Sequence, residues 1–150
     1  MRISDSVRGM DEADARRVAT SVLRARFREF DSGDWVVTGV AEYESAWAVN
    51  YNTRVYAETG EASHALAGNG ALVVPKTGED PWFTWSGGDT ASQVARGYPA
   101  LWDVALTEIS AGVYRCVATD TAGRSVGASG DDPDALVTRC VADLKRMGDA

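Results

Sequence analysis

The sequence has few of the residues that metal and catalytic sites use most. It contains two cysteines and one histidine among 150 residues. Structural zinc takes four Cys or His ligands at short paired spacings, so we expect no metal site. Cys116 and Cys140 are both interpreted as reduced thiols, because a chain of this length can bury a core without a disulfide.

Long apolar runs are also missing. No run approaches the roughly 20 residues that cross a bilayer, and the first nine residues, MRISDSVRG, lack the hydrophobic stretch of a secretory signal. These absences predict a cytoplasmic protein that does not enter a membrane. With 45% hydrophobic and 25% charged residues, the composition is typical of a soluble globular protein.

Acidic residues outnumber basic ones by 22 to 15, which gives a formal charge of −7. An acidic chain has little attraction for phosphate backbones or anionic lipids, so nucleic acid and membranes are poor candidate partners. The charge is uneven: residues 31–97 hold nine acidic and three basic residues, or −6, and four of the five tryptophans. Arg17, Arg24 and Arg28 are interpreted as the solvated face of a helix, not as a phosphate-binding stripe.

The hydrophobic pattern predicts an α+β fold. A helix is predicted over about 11–30, and a β-hairpin over 35–52 with Trp47, Val49 and Tyr51 on a core face and Ala48 on a polar face. Residues 56–70 are predicted to form an ordered loop with one helical turn near 62–66. The other predicted elements are strands at 71–74, 82–85, 102–109, 113–119 and 124–128, a helix from the Asp89 cap to Arg96, and a closing helix capped by Asp132.

These elements predict one domain over residues 1–150, with a soft boundary near 97–100. The N-terminal helix, an antiparallel sheet built from hairpins, and a C-terminal β-β-β-α unit are expected to pack as one layered body.

No arrangement of residues is typical of catalysis. The motifs G-x-S-x-G and H-E-x-x-H and the Gly-rich phosphate loops are absent. Both cysteines follow the apolar pattern of their elements, so a dyad of a thiol with His64 is the less favoured alternative. Glu58 and Glu61 flank a turn, but a loop rich in Gly, Ser and Thr offers no apolar site to raise a carboxyl pKa. We expect no enzyme activity, no catalytic residue and no cofactor.

Two tryptophans stand out for their acidic neighbours. Trp82 and Trp85 lie beside Glu79, Asp80 and Asp89 in the sequence. Aromatic anchors with an acidic rim are typical of surfaces that capture a basic protein, since charge speeds encounter and aromatic burial slows release. The alternative is that both tryptophans are strand residues of the core.

Residues 47–78 contain, in order, W-x-x-x-Y-N, T-G-E, L-A-G-N-G and a valine strand. This pattern resembles the central motif of the immunity protein 35 family of bacterial polymorphic-toxin systems. The motif is an aromatic strand W-x-x-x-Y-N, a following Tyr, a T-G-[DE] turn, a stretch ending L-A-G-N-G and a valine strand. The residues that carry it, interpreted as mainly structural, are Trp47, Tyr51, Asn52, Tyr56, Thr59, Gly60, Gly68, Asn69 and Gly70. The three glycines are predicted to occupy turns with positive φ, and the two asparagines to hydrogen-bond local backbone. Ala71 and Pro75 depart from the family pattern.

The resemblance implies a cytosolic protein that binds a cognate toxin without turnover and without a cofactor. Our leading hypothesis is therefore non-catalytic occlusion of the toxin's active site by the acidic and aromatic middle segment. The residues predicted to contact the toxin are Glu58, Glu61, Asp80, Trp82, Trp85 and Asp89. A stress-related or chaperone-like binding protein without a dedicated toxin is the alternative, and an enzyme that uses His64 and a cysteine is a third.

Overall fold

The chain combines helices with antiparallel sheets, which confirms the α+β class. A computed structural model describes residues 10–148. The chain divides into two compact units, residues 1–96 and 97–150, and each has its own sheet and its own buried cluster. No helix among the described residues combines the length and the hydropathy that crossing a membrane requires.

The first unit contains a four-stranded antiparallel sheet in the order β1-β2-β3-β4. Its strands are β1 (Trp35–Glu42), β2 (Ala46–Thr53), β3 (Leu72–Pro75) and β4 (Trp82–Phe83). Its helices are α1 (Glu12–Arg26), α2 (Arg28–Ser32), α3 (Arg54–Thr59) and α4 (Thr90–Arg96), with a 3₁₀ turn at Ala62–His64. The predicted hairpin is confirmed as β1 and β2, whereas the strand predicted at 82–85 already ends at Phe83.

The predicted N-terminal helix is divided in two. Asp11 begins α1 through a capping box, in which its side chain accepts a hydrogen bond from the Asp14 N–H at 2.9 Å. At Phe27 the backbone turns extended, with φ −125° and ψ 117°, before α2 begins. One helix to residue 30 was therefore a wrong prediction. The break places Phe27 and Phe30 against Tyr51, and helical spacing alone cannot reveal that tertiary contact.

One face of the four-stranded sheet packs on α1. Alternation places Trp47, Val49 and Tyr51 on this face, as predicted. The α1 residues that meet them are Ala15, Ala19 and Leu23, each 0% exposed. Removal of this apolar surface from water is the main force that holds the helix to the sheet.

The opposite face of the sheet is partly covered, and the prediction that it is polar was wrong there. Ala48 is only 1% exposed. Beside it, Ala46 and Val73 form a second cluster with Trp82 of β4 and Val94 of α4. The alternation within β2 could not show this cover, because β4 and α4 come from a later part of the chain.

The segment predicted as a loop over 56–70 begins inside a helix. Thr53 caps α3, since its Oγ1 accepts a hydrogen bond from the Tyr56 N–H at 3.1 Å, and Gly60 ends α3 with φ +74°. No residue of α3 is buried, so no apolar periodicity marked it in the sequence. The helical turn predicted near 62–66 is present as the 3₁₀ turn.

The second unit is the predicted β-β-β-α arrangement. Strands β5 (Asp103–Ser110), β6 (Val113–Thr119) and β7 (Ser125–Gly130) pair antiparallel in that order, and α5 (Pro133–Gly148) follows. Asp132 caps α5 as predicted, because its Oδ1 accepts from the N–H of Ala135 at 3.2 Å. The cluster between helix and sheet consists of Cys116, Ala118, Leu136, Cys140 and Leu144.

Candidate functional site

The residues predicted to contact a partner fall into two groups. The α3 group consists of Glu58 and Glu61, at the end of α3 and just after it. The α4 group consists of Asp80, Trp85 and Asp89, which precede or flank the start of α4. In the part of the chain that the structure describes, no hydrogen bond or ion pair joins one group to the other.

Both carboxylates of the α3 group are exposed. The Glu61 Oε2 lies 3.6 Å from the His64 Nε2, and the His64 side chain is itself 51% exposed. His64 therefore faces a surface carboxylate. A pair this exposed contributes little to stability, so the α3 group leaves its charge available to a partner.

Hydrogen bonds tie the segment that follows α3 to β2. The Asn52 Oδ1 accepts a hydrogen bond from the Leu66 N–H at 2.8 Å. The Thr53 hydroxyl donates to the His64 carbonyl at 2.7 Å, and the Asn69 amide donates to the Tyr51 carbonyl at 3.3 Å. The surface segment thus has fixed points along its length, although it buries almost no apolar side chain.

Trp82, the sixth predicted contact residue, belongs to the core. It is 8% exposed and packs with Ala46, Val73 and Val94. Its position opposite Val73 in the sheet places it on the face that α4 covers. Its burial leaves little ring surface for a partner, and its contribution to a site is to support the chain that leads to Trp85.

Trp85 is held by its main chain and exposed at its ring. Its indole side chain is among the exposed large hydrophobic groups, with 40% of the residue accessible. Its N–H donates to the Gln93 Oε1 at 2.8 Å, and its carbonyl accepts from the Gln93 Nε2 at 2.9 Å. Gln93 is 0% exposed. Sequence reasoning missed this side chain, and the only signal was a polar residue next to Val94 on a short helix.

The Asp89 carboxylate caps α4. The Oδ2 accepts hydrogen bonds from the Ser92 N–H at 2.9 Å and from the Ser92 hydroxyl at 2.8 Å. These bonds to the ionised form lower the pKa of Asp89 below its usual value. The predicted cap is confirmed, and Asp89 adds a fixed negative charge four residues after Trp85 in the chain.

The thiols belong to the other unit. Cys116 and Cys140 are free and buried in the second unit, whereas His64 lies exposed on the 3₁₀ turn of the first. Burial, followed by the neighbouring Cys140 thiol, raises the pKa of Cys116 to about 11. A thiol with so high a pKa is a weak nucleophile at neutral pH.

The Cys116 thiol should make stability fall in alkaline solution. An unfolded thiol loses its proton near pH 8.5, whereas the folded one keeps it to about pH 11. The free energy of unfolding therefore falls as the pH rises between those values. Urea unfolding at pH 8 and pH 10.5 checks this. The stability gap between wild type and Cys116→Ala should narrow at the higher pH, and an unchanged gap would contradict the shift.

Two surface cavities border α1, and no residue of the α3 group or the α4 group lines either of them. One, of about 530 Å³, is lined by Arg16, Arg17, Thr20, Ser21 and Arg24. Arg16 pairs with Glu12 at 3.1 Å and Arg17 pairs with Asp14. Arginines paired along their own helix are typical of a solvated face.

The residues of the resembling motif have structural roles in the first unit. Trp47 is 7% exposed and its Nε1 donates to the Met10 carbonyl at 3.0 Å. Gly60 and Gly68 have φ of +74° and +75°, as predicted. Gly70 does not have positive φ, so that prediction was wrong. It is required instead by close approach, since a Cβ there would lie 1.8 Å from the Thr84 carbonyl oxygen.

A family model for immunity protein 35 matches residues 13–99, which is 87 of the 150 residues. The chain belongs to the immunity protein 35 family. No curated protein and no solved structure matches it. The match begins in α1 and ends shortly after α4, so both groups of exposed residues lie within the family region of this immunity protein. Strands β5 to β7 and α5 lie beyond it.

Proposed function

We propose that this immunity protein neutralises a cognate bacterial toxin in the cytoplasm by binding over the toxin's active site. Family membership carries the immunity role and implies a toxin partner in general. The contact residues that we propose are the α3 group and the α4 group, because their charges are exposed and lie within the family region.

The charge pattern supports a basic partner surface. Residues 31–97 carry a formal charge of −6, and neither Glu58 nor Asp80 has an ion-pair partner among the described residues. Unpaired surface carboxylates attract a positively charged protein over several ångströms and orient it before contact. An enzyme that acts on nucleic acid or another anion has a basic active site. A protein that covers this site would inhibit the enzyme without catalysing any reaction.

The toxin encoded beside the immunity gene provides the direct test. Co-expression should restore growth to cells that make the toxin, and the two proteins should purify as one complex. A chaperone-like protein without a dedicated toxin would instead protect unrelated unfolded proteins and would give no such complex. If co-expression neither rescues growth nor yields a complex, the proposal fails.

Reversing charge in both groups should slow association. We expect Glu58→Lys with Asp80→Lys to lower the association rate constant on the order of tenfold at low salt, with a smaller effect at 0.5 M salt. Stopped-flow mixing with the toxin at several salt concentrations measures this. Asp103→Lys with Asp131→Lys, at two exposed positions outside the family region, is the matched control because it reverses the same number of charges. An equal effect from this control would mean that only net charge matters.

A further inference from the structure

We infer that Trp85 is a preorganised anchor that inserts into an apolar pocket on the toxin with a basic side chain at its rim, and that Gln93 is its positioning residue. This inference rests on the proposed function, which supplies the toxin as partner. Within that function, the Trp85 side chain dominates the affinity for the toxin, and Gln93 holds it in position.

The main chain is fixed at Trp85 and at the residue before it. Before Trp85, the Thr84 N–H donates to the Ala71 carbonyl at 2.9 Å, and the Thr84 hydroxyl accepts from the Ala71 N–H at 2.9 Å. Thr84 is 6% exposed. At Trp85 itself, the buried Gln93 amide binds both main-chain polar groups, as a neighbouring strand would. Trp85 is therefore bonded to α4, and the residue before it is bonded to Ala71, which precedes β3.

The position of the Trp85 ring also depends on Gly87. A Cβ at Gly87 would lie 2.5 Å from the Trp85 Cη2 and 2.6 Å from its Cζ2. The indole occupies space that exists only because residue 87 has no side chain. A ring held against the chain in this way loses little conformational freedom when it binds, and that saving raises affinity.

The acidic residues that flank Trp85 in the sequence indicate the chemistry of the partner. Residues 77–95 contain three acidic residues, Glu79, Asp80 and Asp89, and no basic one. The carboxylate of Asp89 is held in place at the start of α4. Both this charge and the negative face of an indole attract an arginine or lysine. An exposed tryptophan with acidic residues before and after it in the chain therefore fits an apolar pocket with a cationic rim better than a wholly apolar groove.

The anchor is tested by the affinity of single variants for the toxin encoded beside the immunity gene, measured by titration calorimetry. Trp85→Ala should weaken binding about 30-fold or more, as hot-spot tryptophans do. Leu101→Ala removes a side chain that is 49% exposed outside the family region, and it should change affinity less than about twofold.

A test of the positioning role needs a measurement whose result would not change if Gln93 were only structural. Gln93→Leu should weaken binding roughly fivefold, and this loss should disappear when Trp85 is already alanine, because Gln93 acts through the ring. Gly87→Ala is the second variant. It leaves the Gln93 bonds intact and displaces only the end of the indole, so it should fold normally and show the same dependence on Trp85 even if Gln93→Leu does not fold.

The outcomes separate the two proposals. If wild type binds the toxin and Trp85→Ala binds it equally well, the anchor is overturned and the immunity proposal stands. If Gln93→Leu and Gly87→Ala weaken binding just as much without the ring as with it, the positioning role is overturned. If wild type itself does not bind, the proposed function falls and the anchor falls with it.

Discussion

Gly70→Ala is expected to destabilise the first unit by about 3 kcal/mol or more. The added Cβ would lie 1.8 Å from the Thr84 carbonyl oxygen and 2.7 Å from the Thr84 carbonyl carbon. These are main-chain atoms, so no rotamer change can relieve the contact. The chain on one side or the other must move, and a packed interior does not yield by that distance without loss of its contacts.

The contact is costly because of what surrounds Thr84. Its N–H and hydroxyl both bond to the main chain of Ala71, which joins β3 to the residue after β4. Displacement of Thr84 would leave Ala71 polar groups buried without partners, since Ala71 is 5% exposed. The same displacement would move Trp85, so the variant should also lose toxin binding.

Urea unfolding followed by circular dichroism measures the loss. Gly39→Ala is the matched control, because a Cβ at Gly39 meets no atom within 4 Å and its φ is not positive. It should alter stability by no more than about 1 kcal/mol, with stabilisation the expected sign. Equal effects from the two alanines would show that the approach of residue 70 to Thr84 is looser than described.

Local signals in the sequence predicted the parts of the fold that local chemistry decides. Asp89 and Asp132 each cap a helix, as predicted. The alternation of Trp47, Val49 and Tyr51 found the core face of β2 because that pattern depends only on the strand itself. The family motif was found in the same way, from residues adjacent in the chain.

The missed features all depend on contacts between distant segments. Trp82 and Trp85 look alike in the sequence, but Trp82 pairs opposite Val73 under α4 while Trp85 follows the end of the strand. Nothing near Gln93 in the sequence indicates that its amide binds the main chain of Trp85. Gly70 looked like a turn residue, yet its requirement comes from Thr84. A site held by such contacts cannot be located from spacing alone.

Asp120→Ala is expected to lower the free energy of unfolding of the second unit by about 2 to 4 kcal/mol. The Asp120 side chain is 4% exposed. Its Oδ1 accepts from the N–H groups of Ala122 and Arg124 at 2.9 and 3.0 Å, and its Oδ2 accepts from the Arg124 Nε at 2.9 Å. One carboxylate therefore binds three donors of the turn between β6 and β7. Alanine would leave the two main-chain N–H groups and the guanidinium without this acceptor.

Hydrogen exchange of the β6 and β7 amides measures this loss, with Asp103→Ala as the matched control. Asp103 is exposed at the start of β5 and its side chain has no hydrogen bond or ion pair among the described residues, so removal of its carboxylate should change stability by less than about 0.5 kcal/mol. Asp120→Asn, which keeps an acceptor and loses the charge, should fall between the two.

The same experiment tests the prediction of a single domain. If residues 1–150 unfold as one cooperative body, the slowest amides of β2 should speed up in Asp120→Ala by the same factor as those of β6. Unchanged protection in β2 would mean that the unit carrying the family motif keeps its stability when the other unit loses it. Toxin binding by Asp120→Ala would then persist, because both proposed contact groups belong to the first unit.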